Sequence, residues 1–183
     1  RWLHIYLSMA SFAILFFFAV TGLTLNHTEW TEGAQRSSRV KGSVKPEWVR
    51  GAQVAKLEVV EHLRNAHHVR GALSDFRIDD TQLGVSFKGP GYSADAFIDR
   101  ETGRYDLTET RNGFLAVIND LHKGRDSGRK WAWLIDVSAV LMCLVSLTGI
   151  FLILLLKRYR TTGLAAVALG MLASWLIYVY WVP

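Results

Sequence analysis

Three stretches of this chain carry no charged side chain: Ile5 to Leu25, Val137 to Leu156 and Leu164 to Pro183. Each reaches the ~20 residues that a helix needs to cross the hydrocarbon core of a bilayer. Half of the 183 residues are hydrophobic and a fifth are charged, and the charges are gathered between and beside these runs. The first run is too long for the core of a cleaved signal peptide and continues into Asn26-His27-Thr28-Glu29-Trp30, so a retained anchor is expected. Cys143, the single cysteine, lies within the second run, which leaves neither a disulfide framework nor a cysteine metal site.

Orientation follows from the basic residues nearest the spans. Arg1 precedes the first, and Lys157, Arg158 and Arg160 fill the short link between the second and third with no acid among them. The positive-inside rule places both ends of that pattern in the cytoplasm. Residues 28–130 hold seventeen Lys/Arg against fifteen Asp/Glu, and a segment of that length is translocated largely regardless of charge. It is therefore expected on the periplasmic side. The net charge of +5 comes mostly from topology and gives no support to nucleic-acid binding.

Within that segment, Thr31 to Pro46 is rich in Gly, Ser and basic residues without apolar periodicity, and reads as a linker. From Ala52 to Val69, Val54, Leu57, Val60 and Leu63 recur at three-residue steps, the mark of an amphipathic helix. Strand candidates follow at Phe76 to Asp79, Gly84 to Lys88, Ala94 to Asp99 and Gly103 to Leu107, separated by turn signals such as Gly89-Pro90-Gly91. One helix on a small antiparallel sheet results. Asn112 to Leu121 returns to helical spacing, with Phe114, Leu115, Val117, Ile118 and Leu121 on one face and Asn119 and Asp120 off it. The boundaries expected are a first transmembrane helix over 1–27, linker and domain over 28–111, an amphipathic interfacial segment and turn over 112–130, and further spans over 131–157 and 163–183.

Six histidines are the only candidate ligands for a redox metal or haem. His27 ends the first span, and His122 ends the amphipathic segment shortly before the second span enters from the same side. Two neutral imidazoles on neighbouring helices supply the axial bonds of a six-coordinate haem, a geometry suited to electron transfer. The competing reading of the same positions is a pair of interfacial histidines bonded to water or headgroups. His4 lies twenty-three residues before His27, ~34 Å along a helix, so one haem cannot use both. His4 is either a polar interfacial side chain beside Trp2 or a ligand shared with a partner subunit. His62, His67 and His68 lack a three- or four-residue spacing and read as surface histidines.

Thr21-Gly22 and Thr148-Gly149 recur in the first and second spans. Gly22 and Gly149 permit close approach of either a helix or a flat macrocycle. Asp136, just inside the second span, is a candidate to orient a ligand histidine or to pair with Arg129 or Lys130. No phosphate-cradling loop, zinc-protease helix or nucleophile-base arrangement is present, so hydrolysis and nucleotide binding have no support.

In their order along the chain, Arg1-Trp2-Leu3-His4, Thr21-Gly22, Asp99-Arg100-Glu101-Thr102-Gly103, Asn119-Asp120-Leu121-His122 and Leu147-Thr148-Gly149 resemble the bacterial PepSY-associated transmembrane-helix family. The resemblance implies a membrane α-helical protein, with three transmembrane helices and one small α+β PepSY-like extracytoplasmic domain. Better-studied relatives are haem-binding inner-membrane proteins linked to siderophore iron reduction, so a haem-b-containing electron-transfer protein is implied. Its acceptor would be a periplasmic ferric siderophore or flavoprotein. The resemblance carries His122, His27 and His4 over as candidate haem ligands, with the third completed by a homodimer mate. The larger relatives have a fourth span, against the three expected here. The alternative expectation is a membrane-anchored PepSY regulatory or inhibitory module without redox activity.

Overall fold

The computed structural model of the chain describes residues 2–31, 33–51 and 53–183. Arg1, one of the charges used for orientation, and Ala52, the expected start of the soluble helix, lie outside the described residues. Among the described residues, three helices are long and apolar enough to cross a membrane: α1 (Trp2–Asn26), α4 (Gly128–Leu155) and α5 (Arg160–Trp181). Their polarity is inverted relative to a helix in water. Phe12, Phe16 and Leu23 of α1 and Leu147 and Phe151 of α4 are exposed, while Ser11, Thr21, Thr24 and Ser138 are buried. A water-soluble helix buries its large apolar side chains, whereas hydrocarbon surroundings reward helices that turn small polar residues toward protein.

The chain divides into two compact units, one comprising Phe17–Ile135 and the other Arg1–Phe16 with Asp136–Pro183. The first unit holds a five-stranded antiparallel sheet in the order β1-β5-β4-β3-β2, from β1 (Arg36–Ser43), β2 (Ala72–Ile78), β3 (Gln82–Gly89), β4 (Tyr92–Asp99) and β5 (Arg104–Arg111). Between β1 and β2 runs α2 (Lys56–His67), and after β5 comes α3 (Phe114–Lys123). The last four strands form a meander, and β1 joins β5 at its outer edge.

Period-two alternation explains the core. Leu83, Val85 and Phe87 of β3, Ala94, Ala96 and Ile98 of β4, and Tyr105 and Leu107 of β5 all face α2 and are buried. Register sets large against small: Phe87 stands opposite Ala94, and Leu107 opposite Ala96. From α2 come Val59, Val60 and Leu63.

Two sequence expectations are corrected here. The stretch from Thr31 to Pro46 is not simply a linker, because eight of its residues form β1. Seven of those eight are exposed, so no apolar alternation could announce the strand; pairing with β5 makes it. Leu57 is exposed at 69%, and Val59 takes its place in the core. A strict three-residue step drifts around a helix of 3.6 residues per turn, and the sheet selects the side that includes Val59.

The Asp99-Arg100-Glu101-Thr102-Gly103 hairpin is a structural clamp. Asp99 accepts bonds from the Thr102 amide and hydroxyl, which hold its carboxyl below the usual aspartate range. The Arg100 guanidinium donates to the carbonyls of Val49, Asp79 and Gly51, tying three loops at one end of the sheet.

Candidate functional site

Four consecutive residues on α3 each dock a different part of the unit. Asn119, expected off the packed face, is only 7% exposed: its Oδ1 accepts the Thr24 hydroxyl proton at 2.6 Å, joining α3 to α1. Asp120 accepts the Gly91 amide at 2.9 Å, joining α3 to the β3–β4 turn, and pairs with Arg125 at 3.4 Å. The Leu121 carbonyl accepts the Trp131 indole N–H at 2.8 Å, which fixes the first turn of α4. His122 completes the series against α1.

The His122 ring sits in a notch. Its Nδ1 lies 2.6 Å from the Thr21 hydroxyl, and Phe18 meets the ring edge to face. A Cβ built on Gly22 would lie 3.7 Å from the imidazole Cε1, so the glycine is where the ring rests. Burial holds this imidazole below the usual histidine range, with Lys123 adding to the effect, and so favours the neutral ring that can ligate a metal.

The same notch occurs in the other unit. His4 Nδ1 lies 2.9 Å from the Thr148 hydroxyl, and a Cβ on Gly149 would lie 3.3 Å from the His4 Cε1. Of the chain's four Thr-Gly pairs, Thr21-Gly22 receives an imidazole from α3 and Thr148-Gly149 one from α1, while Gly103 and Gly163 have no imidazole as a near neighbour. Each Leu-His pair in the chain, Leu3-His4 and Leu121-His122, meets one Thr-Gly pair. The match of two Leu-His pairs to two span Thr-Gly pairs is a sequence signal for the threonines as well as the glycines.

His27 lies one residue past the end of α1 and has local partners. Its Nδ1 bonds the Glu29 carboxylate at 2.9 Å, and its ring stacks on Trp30 with centroids 4.5 Å apart. His27 and His122 thus have separate partners, and no contact between their rings is among those described. His27 is six residues beyond Thr21, ~9 Å of helical rise.

The remaining histidines differ in which nitrogen is engaged. His67 uses Nε2 to reach the Tyr105 hydroxyl at 2.7 Å, and the His62 Nε2 lies 3.5 Å from the same oxygen. They line the helix–sheet junction instead of standing free on the surface as expected, while His68 is exposed at the left-handed end of α2. His4, His27 and His122 are all held through Nδ1 by an oxygen, and no bond to their Nε2 atoms is among those described; a metal-ligating histidine is oriented by the same kind of partner on its other nitrogen. Asp136 is exposed on α4. Among the described residues no cluster of three or more His, Cys, Asp or Glu could hold a metal ion, so any donor set among them would be one or two imidazoles. That set suits a haem, whose macrocycle supplies the other four bonds.

The family described as PepSY_TM-like matches the chain over residues 1–183. The chain belongs to that family. No curated protein and no solved structure matches it. In this PepSY_TM-like chain the sheet domain, α3 and the end of α1 form one compact unit, in which α3 meets the β3–β4 turn through Asp120 and α1 through Asn119 and His122.

Proposed function

We propose that this protein is a haem-b-containing electron-transfer protein of the bacterial inner membrane, delivering electrons to a periplasmic ferric siderophore or flavoprotein. The observation that carries the reading is the shared presentation of His4, His27 and His122, each anchored through Nδ1, with no bond to Nε2 among those described. In this reading residues 28–130 are periplasmic and the Lys157-Arg158-Tyr159-Arg160 link is cytoplasmic. His122 and His27 would hold one haem b, and His4 a second together with the symmetry mate of a homodimer. Bound there, haem b supplies a one-electron iron couple.

The protein's own groups set the conditions for that couple. Thr21 and Glu29 orient the imidazoles, while Phe17, Phe18 and Trp131 form an apolar aromatic wall beside His122. Two histidine ligands leave no open iron position for substrate, which suits electron transfer over oxygen activation. The test is a reduced-minus-oxidised absorption spectrum of the detergent-purified protein, with haem extracted and counted per chain. Sharp b-type bands are expected. Substituting His122 with Ala should abolish or change them, whereas His62→Ala should leave them intact. A colourless protein from cells supplied with ample haem overturns the reading.

The open face of the sheet favours the second reading, a PepSY regulatory module. Opposite α2, a groove of about 830 Å³ is lined by Lys41, Thr81, Phe97, Asp99, Arg104 and Asp106. Phe97 is half exposed there, an aromatic contact among charges of both signs. Capture of a partner enzyme through this groove by a protein without haem would decide for that alternative.

A further inference from the structure

The threonine hydroxyl in each notch has one proton to share among two carbonyls of its own helix and an imidazole nitrogen. Thr21 Oγ1 lies 2.6 Å from the Phe17 carbonyl oxygen and 2.6 Å from His122 Nδ1. Thr148 Oγ1 lies 2.8 Å from the Leu144 carbonyl and 2.9 Å from His4 Nδ1. Two oxygens at such separations are within O–H···O range, and without a proton between them their lone pairs would repel. The hydroxyl proton therefore goes to the carbonyl of its own helix, and the hydroxyl oxygen is left as an acceptor. An imidazole nitrogen facing that acceptor must carry hydrogen.

We infer that Thr21 and Thr148 are positioning residues that lock His122 and His4 as Nδ1–H tautomers, so that Nε2 keeps its lone pair for a ligand-accepting iron. The use of that lone pair rests on the haem reading above; the tautomer itself does not. A helical threonine suits the task because its Oγ1 reaches the carbonyl one turn back. A serine does the same with a looser rotamer, and valine, equal in shape, has no acceptor. The glycine that follows leaves space for the ring to reach the hydroxyl: the nearest foreign atom to a Cβ at Gly22 is His122 Cε1, and at Gly149 it is His4 Cε1.

The test uses the full chain purified without haem and labelled with ¹⁵N-histidine, in mildly alkaline buffer. Long-range proton–nitrogen correlations distinguish Nδ1–H from Nε2–H rings, and His4→Gln and His122→Gln assign the two signals. Wild type is expected to show Nδ1–H at both. Thr21→Val should release only His122 into the other tautomer, Thr148→Val only His4, and Thr21→Ser should restore the wild-type pattern. On adding haem, Thr21→Val should bind ~10–100-fold more weakly, the range found when the group orienting a metal-bound histidine is lost.

An Nε2–H ring at either assigned position in wild type overturns the inference. So does a His122 tautomer indifferent to Thr21→Val. If the tautomers behave as stated but wild type takes up no haem, the electron-transfer reading falls and the tautomer lock stands. If haem binds while the tautomers ignore the threonines, the lock falls and the reading stands.

Discussion

A glycine beside an imidazole sets how near the ring can come, and the two notches differ in tolerance. At Gly22 an added methyl would meet His122 at 3.7 Å, an ordinary van der Waals distance. At Gly149 it would meet His4 at 3.3 Å, where the ring must yield by a few tenths of an ångström. Gly22→Ala is therefore expected to leave the His122 signals near wild type, whereas Gly149→Ala shifts those of His4; histidine NMR spectra of the two variants check this. Asp99 makes a separate prediction. Its carboxyl is held below the usual range mainly by the Thr102 hydroxyl and amide, so its turn is fully braced above the ordinary aspartate pKa and loosens as pH falls through the lowered folded value. Exchange of the Thr102 amide should accelerate only below that range. At this scale the sequence was legible in composition and opaque in pairing. His4, His122, Thr21-Gly22 and Thr148-Gly149 stood out, but which imidazole meets which threonine depends on contacts across 101 and 144 residues.

Among the elements, α3 is the one whose position depends most on single bonds. Its apolar spacing was visible, yet the docking face also includes polar Asn119 and Asp120, because their partners are a buried threonine and a turn amide. Periodicity of apolar residues cannot report a face that is held by hydrogen bonds. Asp120→Ala leaves the Gly91 N–H without its acceptor and should cost about 1–3 kcal/mol. Amide exchange at Gly91 should speed up, and the His122 signals should broaden as α3 loosens. Gly91 is constrained from both sides: its φ is +65°, and a Cβ would lie 2.5 Å from a Val117 methyl on α3. Gly91→Ala should cost about 1–3 kcal/mol from the backbone alone, read as a lower midpoint in denaturant.

For the molecule as a whole, three apolar runs and a soluble α+β insert were evident because charge exclusion and strand alternation are local signals. The extra strand was hidden because its partner β5 lies far along the chain and its side chains face water. The domain's stability centres on Phe87, which is fully buried opposite Ala94. Phe87→Ala should destabilise it by about 3–5 kcal/mol, measured by denaturant titration of the purified chain.

The polarity that concealed β1 has a consequence for how copies of this protein tolerate crowding. A sheet that is not closed ends in two rows of unpaired amides and carbonyls, each able to recruit a strand from a neighbour. Here one rim is β1, studded with Arg36, Arg39 and Lys41, and the other is β2, which carries Asp75 and Arg77 and is broken by an irregularity between Leu73 and Asp75. Like charges along one border and a kink along the other make rim-to-rim zipping into fibrils unfavourable, even where many copies share a small area.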